Sequence, residues 1–433
     1  MQIIKKFHRM EVKEDLFNSL NYDGIFVWDI LRYSVYSKLV FGTELLTYFD
    51  RTKKSNKNVY FAFTNLLKNC FLFFKKKSEF MFFISSRSML NDGLFMDKSA
   101  HDLINQIGSG LIFETEKCHN IYNSYYDLVN LFSRFIYVSK IDKYEYIKFS
   151  NILGKYFSKD LFTYDEYKFI LKQHKKHFVY YRILFKIFKP KKVIVSTGNP
   201  KALLHAARKM SIPVYLLQHG EVQFDQVDVS YPECINYNSN IYFPDIFLTF
   251  GSYWSKGINI PARLIHPIGN NYYYRMPSIE RDNSILFVSS IIHGEELSKL
   301  VKELSMKLPD RRFIFKLHPN EYNISQYYIS SLVDFHNIEV VRSEFDSSTL
   351  VSKCEWVVLI SSTVLFEALH FGKNVAVYKK LNWERQLYNN SVSHIDFIET
   401  SNDFIHCLSK ERFFDVGLIF EPYNKDLVEK IFR

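Results

Sequence analysis

The stretch EWVVLISSTVLFEALHFGKNVAVYK (355–379) decides the fold class. An apolar run over 356–360 ends in three hydroxyl residues, Ser361, Ser362 and Thr363. An amphipathic, helix-like segment follows at once, with Gly372 just past its end, and NVAVYK begins a second apolar run. Strand, helix and strand in direct succession predict a parallel βαβ unit, because parallel neighbours are joined only through a crossover.

The same alternation extends outward on both sides. SILFVSS (284–290), RRFIFK (311–316) and NIEVVRS (337–343) read as strands, with helices over 295–308 and 347–354 between them. Further upstream EFMFFISS (79–86), KKVIVS (191–196), VYLLQHGE (214–221) and IFLTFG (246–251) repeat the strand pattern. KALLHAARKMSIP between two of them is a helix stopped by Pro213. The middle, 115–190, is rich in Tyr and Lys and reads as helical. So does 21–42, with Gly42 as its stop, and so does the last segment, NKDLVEKIFR. The expected architecture is α/β in two halves joined near 262–280, the second series of strands starting after PARLIHPIGNN (261–271).

Composition bounds the rest. The chain has 433 residues, 47% hydrophobic and 24% charged, which is globular and excludes a disordered or fibrous chain. Five scattered cysteines without a C-x-x-C pair argue against a disulfide framework or zinc ribbon and suit a reducing compartment. The start lacks the apolar core of a signal peptide, and no apolar run reaches the roughly 18 residues of a membrane span, so a cytoplasmic location is expected. The formal net charge of +10 suits a surface facing an anion, although an A/T-biased gene would enrich Lys, Asn, Phe and Tyr equally well. The basic residues are spread along the chain and no nucleic-acid motif is present, so no nucleic-acid partner is expected. G-x-G-x-x-G, the P-loop, H-E-x-x-H and G-x-S-x-G are all missing, as is any D-x-D, so no metal and no resident cofactor are expected.

Ligands of doubly wound sheets sit outside the carboxyl ends of strands. The loops STGNP, QHGE, VSSIIHG, KLHPNE and ISST lie there. Ser361, Ser362 and Thr363, with the helix amides behind them, suit a phosphate; plain N-capping explains the same residues. In KLHPNE, Pro319 holds His318 extended at a strand end with Lys316 nearby, which suits a phosphate or ribose; a surface turn is the alternative. Ser289 and Ser290 close a third strand. In QHGE, His219 and Glu221 flank Gly220, which permits a tight turn, and a neutral histidine there suits a general base. Asp92, in the N-D-G after the strand over 79–86, is a further candidate base. The loop STGNPKA suits an acceptor lining or a plain connection.

Q-H-G in the first half, H-P after a strand of the second and S-S-T ahead of F-E-A-L together resemble bacterial GT-B glycosyltransferases of surface polysaccharide. Capsule and lipopolysaccharide sialyl- and Kdo-transferases, and the related CDP-glycerol glycerophosphotransferases, are the nearest groups. The likeness is best over 190–380. It implies two Rossmann-like lobes facing a central cleft, the first with extra helices: an acceptor lobe over 1–262, with the helix in 411–433 packed back on it, and a nucleotide-sugar donor lobe over 263–410. It implies that His318, Pro319, Ser361 and Ser362 hold the donor's nucleotide and phosphate. Asn91-Asp92-Gly93 partly matches the sialyltransferases' acidic motif, whereas His219-Gly220 matches the His-Gly of the glycerophosphotransferases. The implied activity is metal-independent, inverting sugar transfer from a nucleotide-activated donor, a CMP-sugar in the first instance, to a glycan acceptor. A UDP-sugar 2-epimerase or hydrolase of GT-B shape and a CDP-polyol phosphotransferase are the alternatives, ahead of a non-catalytic basic binding protein. The lysine-flanked VYFAFTNLLKNCFLFF (59–74) suits either a core helix or a contact with the anionic inner face of the cytoplasmic membrane, where a lipid-linked glycan would be met.

Overall fold

The computed structural model describes residues 2–22, 24–52, 78–86, 88–89, 94–108, 110–115, 121–122, 124–224, 226–256, 258–275, 282–290, 292–342, 344–380, 383, 395–409 and 419–433. The chain forms two compact units. The first holds residues 1–249, 255–267 and Phe432; the second holds 250–254, 268–431 and Arg433.

The first unit is built on a seven-stranded parallel sheet: β1 Phe80–Ile84, β2 Leu111–Glu114, β3 Tyr125–Tyr126, β4 Lys192–Val195, β5 Val214–Leu217, β6 Ile246–Thr249 and β7 Leu264–Pro267. The spatial order is β7-β6-β5-β4-β1-β2-β3, with every ladder parallel. The direction of winding reverses between β1 and β4, which makes their loops the switch point where such sheets take ligands. The central strands are buried on both faces, which is why FMFFI and VYLL are continuous apolar runs and not alternating ones.

Extra helices surround this sheet. Gln2–Lys13 and Val27–Thr52 lie at the N-terminus, the second interrupted at Gly42, whose φ of 74° and ψ of 170° no helix admits. Lys143–Tyr156 and Tyr164–Phe188 follow. Thr163 and Glu166 close a capping box at the start of Tyr164–Phe188, and Lys189 ends it in the left-handed region just before Pro190. The N-terminal helices are tied by buried charge. Arg32 donates to Glu11 at 2.5 and 3.1 Å, and Trp28 donates to the same carboxylate at 2.8 Å. Asp29 takes the Lys201 ammonium at 3.0 Å, the Tyr231 hydroxyl at 2.7 Å and the Tyr242 amide at 2.8 Å. Burial pushes the Glu11 carboxyl up, while Arg32 and Trp28 hold it down.

The second unit has a six-stranded parallel sheet: β8 Ile285–Val288, β9 Phe313–Lys316, β10 Ile338–Val341, β11 Trp356–Leu359, β12 Asn374–Tyr378 and β13 Ile395–Ile398. Its order is β10-β9-β8-β11-β12-β13, the 3-2-1-4-5-6 order of a Rossmann sheet. Phe287, Phe315, Trp356 and Val358 pack beneath the helices Gly294–Lys307 and Ser401–Leu408 through Leu297, Leu304 and Phe404. Two Rossmann-like α/β units are thus present, as the strand and helix alternation predicts.

Four strands of these sheets go beyond the sequence reading: β2 and β3, the latter inside the stretch read as helical, together with β7 and β13. PARLIHPIGNN is not only a connection: its residues 264–267 add edge strand β7, where the missing N–H of Pro267 costs no ladder bond. β13 and the helix after it extend the second unit past the expected pattern. The last helix, expected over 424–433, spans Lys425–Phe432, and the Phe432 ring stacks on Tyr215 at 4.7 Å. Asp92 and the segment 59–74 lie outside the described residues.

Candidate active site

The strand order of the second sheet puts β9, β8 and β11 side by side. Their ends are level: Val288 pairs with Lys316, and Phe287 with Val358. Ser289, His318 and Ser361 therefore leave the same edge on neighbouring strands, and the winding reverses between β8 and β11. These are three of the loops that the sequence marks.

Glu321 organises that edge. It is fully buried, and burial pushes its carboxyl up, offset by three donors. The His318 amide reaches Oε2 at 2.8 Å, and the Ser289 hydroxyl and the Tyr328 hydroxyl reach Oε1 at 2.9 and 3.0 Å. The first two bonds lock the β9 loop to the β8 loop. Pro319 opens the 3-10 turn Pro319–Ile324 and holds His318 extended, at φ −70° and ψ 146°. The exposed His318 ring accepts the Asn320 amide at Nδ1, at 3.1 Å, so a neutral ring carries its proton on Nε2 as a donor.

The β8 loop leads into Gly294–Lys307, a helix of 14 residues with no side-chain cap on its first amides. A Cβ on Gly294 would lie 2.2 Å from the Tyr328 hydroxyl, 2.4 Å from Glu321 Oε1 and 2.7 Å from Ser289 Oγ. Only glycine lets this helix begin so close to the Ser289–Glu321–Tyr328 cluster. The buried Ser290 hydroxyl has no hydrogen-bond partner among the described residues. The N-terminus of a helix of this length attracts an anion, although Glu295 and Glu296 in its first turn, both paired with Lys299, oppose part of that field.

The β11 loop is more modest. The helix behind it, Val364–His370, has seven residues, and the Ser362 hydroxyl accepts the Val364 amide at 3.3 Å, so Ser362 is in part a capping residue. Thr363 is exposed and makes no side-chain cap. Lys316 does not extend to this edge as a mobile cation. Its buried ammonium donates to the Arg342 carbonyl and to the Tyr322 hydroxyl at 3.3 Å.

In the first unit, the loop after β5 carries His219 and Glu221. The Glu221 carboxylate accepts the side-chain amides of Gln223 at 3.0 Å and Gln226 at 3.2 Å. The turn does not depend on a left-handed glycine, because Gly220 keeps a negative φ. Arg32 donates to the Val227 carbonyl and fixes the far end of the same loop. Sequence reasoning missed Asp97, which joins the switch-point loops of this sheet: its carboxylate takes the Ser85 amide at 3.0 Å and the Ser196 hydroxyl. It missed Glu321 and Gly294 in the second unit as well. The one local signal was Gly294 in a strand–loop–helix setting; Glu321 and Asp97 act on partners too distant in sequence for a local pattern to find. Among the described residues no group of three or more His, Cys, Asp or Glu side chains is placed to hold a metal ion.

No curated protein sequence matches the chain. Among solved structures, UDP-GlcNAc 2-epimerase from Neisseria meningitidis, bound to UDP-GlcNAc, is similar at 14% identity and a TM-score of 0.49, covering 81% of this chain and 97% of its own. The Methanocaldococcus jannaschii UDP-GlcNAc 2-epimerase gives 14%, 0.47, 81% and 98%, and MurG of Acinetobacter baumannii 10%, 0.45, 81% and 99%. Residues 262–383 match the family model described as capsule polysaccharide biosynthesis protein. That stretch contains Ser289, Gly294, His318, Glu321, Ser361 and Ser362, the residues of the second-unit edge.

Proposed function

We propose that the protein is a glycosyltransferase of capsule or lipopolysaccharide synthesis. It moves a sugar from a nucleotide-activated donor, a CMP-sugar in the first instance, to a glycan or lipid-linked glycan acceptor. The observation that carries this reading is the level edge of β9, β8 and β11, which gathers the His318, Ser289–Gly294 and Ser361–Ser362 loops around one switch point, inside the stretch that matches the capsule family model.

The second unit takes the donor. His318 donates from Nε2 to a phosphate oxygen, Ser290 and Ser361 supply hydroxyls, and the amides opening Gly294–Lys307 add their dipole. Donors held in place before reaction offset the negative charge that grows on the departing nucleotide, and this is the task a metal performs in other transferases. The first unit takes the acceptor. His219 removes the proton of the acceptor hydroxyl, with Glu221 or Asp92 as the other carriers of that role. The new bond forms at the anomeric carbon as the bond to the nucleotide's phosphate oxygen breaks, and the configuration inverts.

Incubation with CMP-, CDP- and UDP-sugars, with and without a glycan acceptor, tests this. Nucleotide release that depends on acceptor, with the sugar recovered on the glycan, is the expected result. Conversion of a UDP-sugar without acceptor would make the protein an epimerase or hydrolase, and transfer of a polyol phosphate would make it a phosphotransferase.

A further inference from the structure

Residues 167–192 hold nine Lys and Arg and not one Asp or Glu, a local charge of +9 in a chain whose net charge is +10. Most of them lie on Tyr164–Phe188. One side of this helix is core: Tyr167, Leu171, His174, Tyr181, Phe185 and Phe188 are buried. The opposite side follows from the same helical period. Positions 169, 172, 176, 179, 183, 186 and 187 recur in steps of three and four, and they read Phe, Lys, Lys, Val, Ile, Lys and Ile. The apolar members are not hidden: Phe169 is 62% exposed, Ile183 51% and Ile187 44%. The neighbouring turn adds to this side, because Phe132 stacks on Tyr180 at 6.0 Å, and Phe135 and Tyr137 next to it are 81% and 91% exposed. Asp165 pairs with Lys168 at 2.6 Å and Glu79 with Lys191 at 3.4 Å, and Asp127 accepts the buried Tyr181 hydroxyl on the core side at 2.9 Å. Lys172, Lys176 and Lys186 have no ion pair among the described residues.

We propose that this face of Tyr164–Phe188, with the Phe132–Tyr137 turn beside it, docks on an anionic lipid surface. The occupant follows from charge and from the apolar tips. The segment 53–77 has seven lysines and no acid, so it is no complement to a lysine face, and a second copy of the chain would bring the same positive charge to a face-to-face contact. An anionic partner is required. Nucleic acid would use the lysines and leave Phe169, Ile183, Ile187, Phe135 and Tyr137 in water. A bilayer uses both, because lysines lie over the headgroups while aromatic and aliphatic side chains enter the boundary beneath. This rests on none of the residues assigned to sugar transfer and stands or falls independently of that reading.

Sedimentation of the full chain with vesicles of equal parts phosphatidylglycerol and phosphatidylcholine tests it. The protein should pellet at low salt, pellet less as salt rises, and stay in solution with phosphatidylcholine alone. Lys172→Glu, Lys176→Glu and Lys186→Glu together should lower the partition coefficient at least about a hundredfold, since each lysine near the surface contributes about a fivefold gain. The milder pair Ile183→Ser and Ile187→Ser, on an exposed face that leaves the core intact, should weaken binding that persists at moderate salt. Failure of the wild type to pellet, equal pelleting of the triple variant, loss of binding only when Lys75, Lys76 and Lys77 are reversed, or retention on RNA without binding to vesicles would each overturn the proposal.

Discussion

The Ser289 hydroxyl donates to Glu321 Oε1 at 2.9 Å, and the other oxygen of the same carboxylate holds the His318 amide at 2.8 Å. One buried acid thus sets the spacing of two loops that the sequence separates by a whole helix. The Glu321→Ala variant removes the acceptor of these two bonds and of the Tyr328 hydroxyl's bond at 3.0 Å. It should destabilise the second unit by about 3 kcal/mol or more, since each hydrogen bond to a charged group contributes about 1.5–3 kcal/mol. Urea unfolding checks this, and an unchanged midpoint would show that the bonds are not formed.

Gly294→Ala meets the same cluster from the other side, with contacts of 2.2–2.7 Å to the Tyr328, Glu321 and Ser289 side-chain oxygens, which must shift and give up their present hydrogen-bond geometry. Overpacking of this kind costs about 1–3 kcal/mol. Calorimetric melting should show the loss, and a fully stable alanine variant would mean that the helix starts farther from Tyr328.

At the proposed donor edge, His318→Ala should weaken binding of the donor nucleotide by about tenfold to more than a hundredfold, the range of one hydrogen bond to a charged group. Ser362→Ala should lose less, because its hydroxyl already accepts the Val364 amide at 3.3 Å. Titration calorimetry with CMP, CDP and UDP reads both. Unchanged affinity in His318→Ala removes that residue from the donor site.

His219→Ala should lower kcat by about 10²–10⁴ while donor binding persists, as expected for loss of a general base. If it stays active and Asp92→Ala does not, the base is Asp92. If both stay active, Glu221, held by Gln223 and Gln226, becomes the group to remove.

EDTA should leave the transfer reaction intact. Complete loss, restored by Mg²⁺ or Mn²⁺, would contradict a donor site made of His318, hydroxyls and helix amides.

Burial pushes the Asp127 carboxyl from 3.8 up to about 6, with bonds from Tyr181 and the Val129 amide holding it down only in part. A carboxyl whose folded pKa is raised favours the folded state below its unfolded pKa, and that contribution is lost as pH rises through the folded value. Between pH 4 and 7 the wild type should therefore lose up to about 3 kcal/mol relative to Asp127→Asn. Melting temperatures of the two proteins across that range, converging or crossing with rising pH, would show it; parallel curves would mean that Asp127 does not titrate there.

Local pattern in the sequence determined the alternation of strands and helices, because a strand buried on both faces must be continuously apolar, as FMFFI and WVVL are. It determined two breaks too: Gly42 and Gly372 both adopt positive φ, which few other residues tolerate. It marked the β8, β9 and β11 loops, since strand-end Ser, His and Pro are local signals. Edge strands β7 and β13 escaped it. LIHP ends in a proline that only an edge position excuses, and IDFI is short and polar at its second residue. Only the tertiary structure decided which loops are neighbours, because the 3-2-1-4-5-6 order is a matter of where crossovers land and not of what any strand contains. It alone showed Lys316 turned inward to Arg342 and Tyr322, and Glu321 joining two loops, since both are contacts across many residues. The basic residues look dispersed along the chain, yet a helix places every third or fourth residue on one side, and on Tyr164–Phe188 that geometry gathers lysines and apolar tips onto one exposed face.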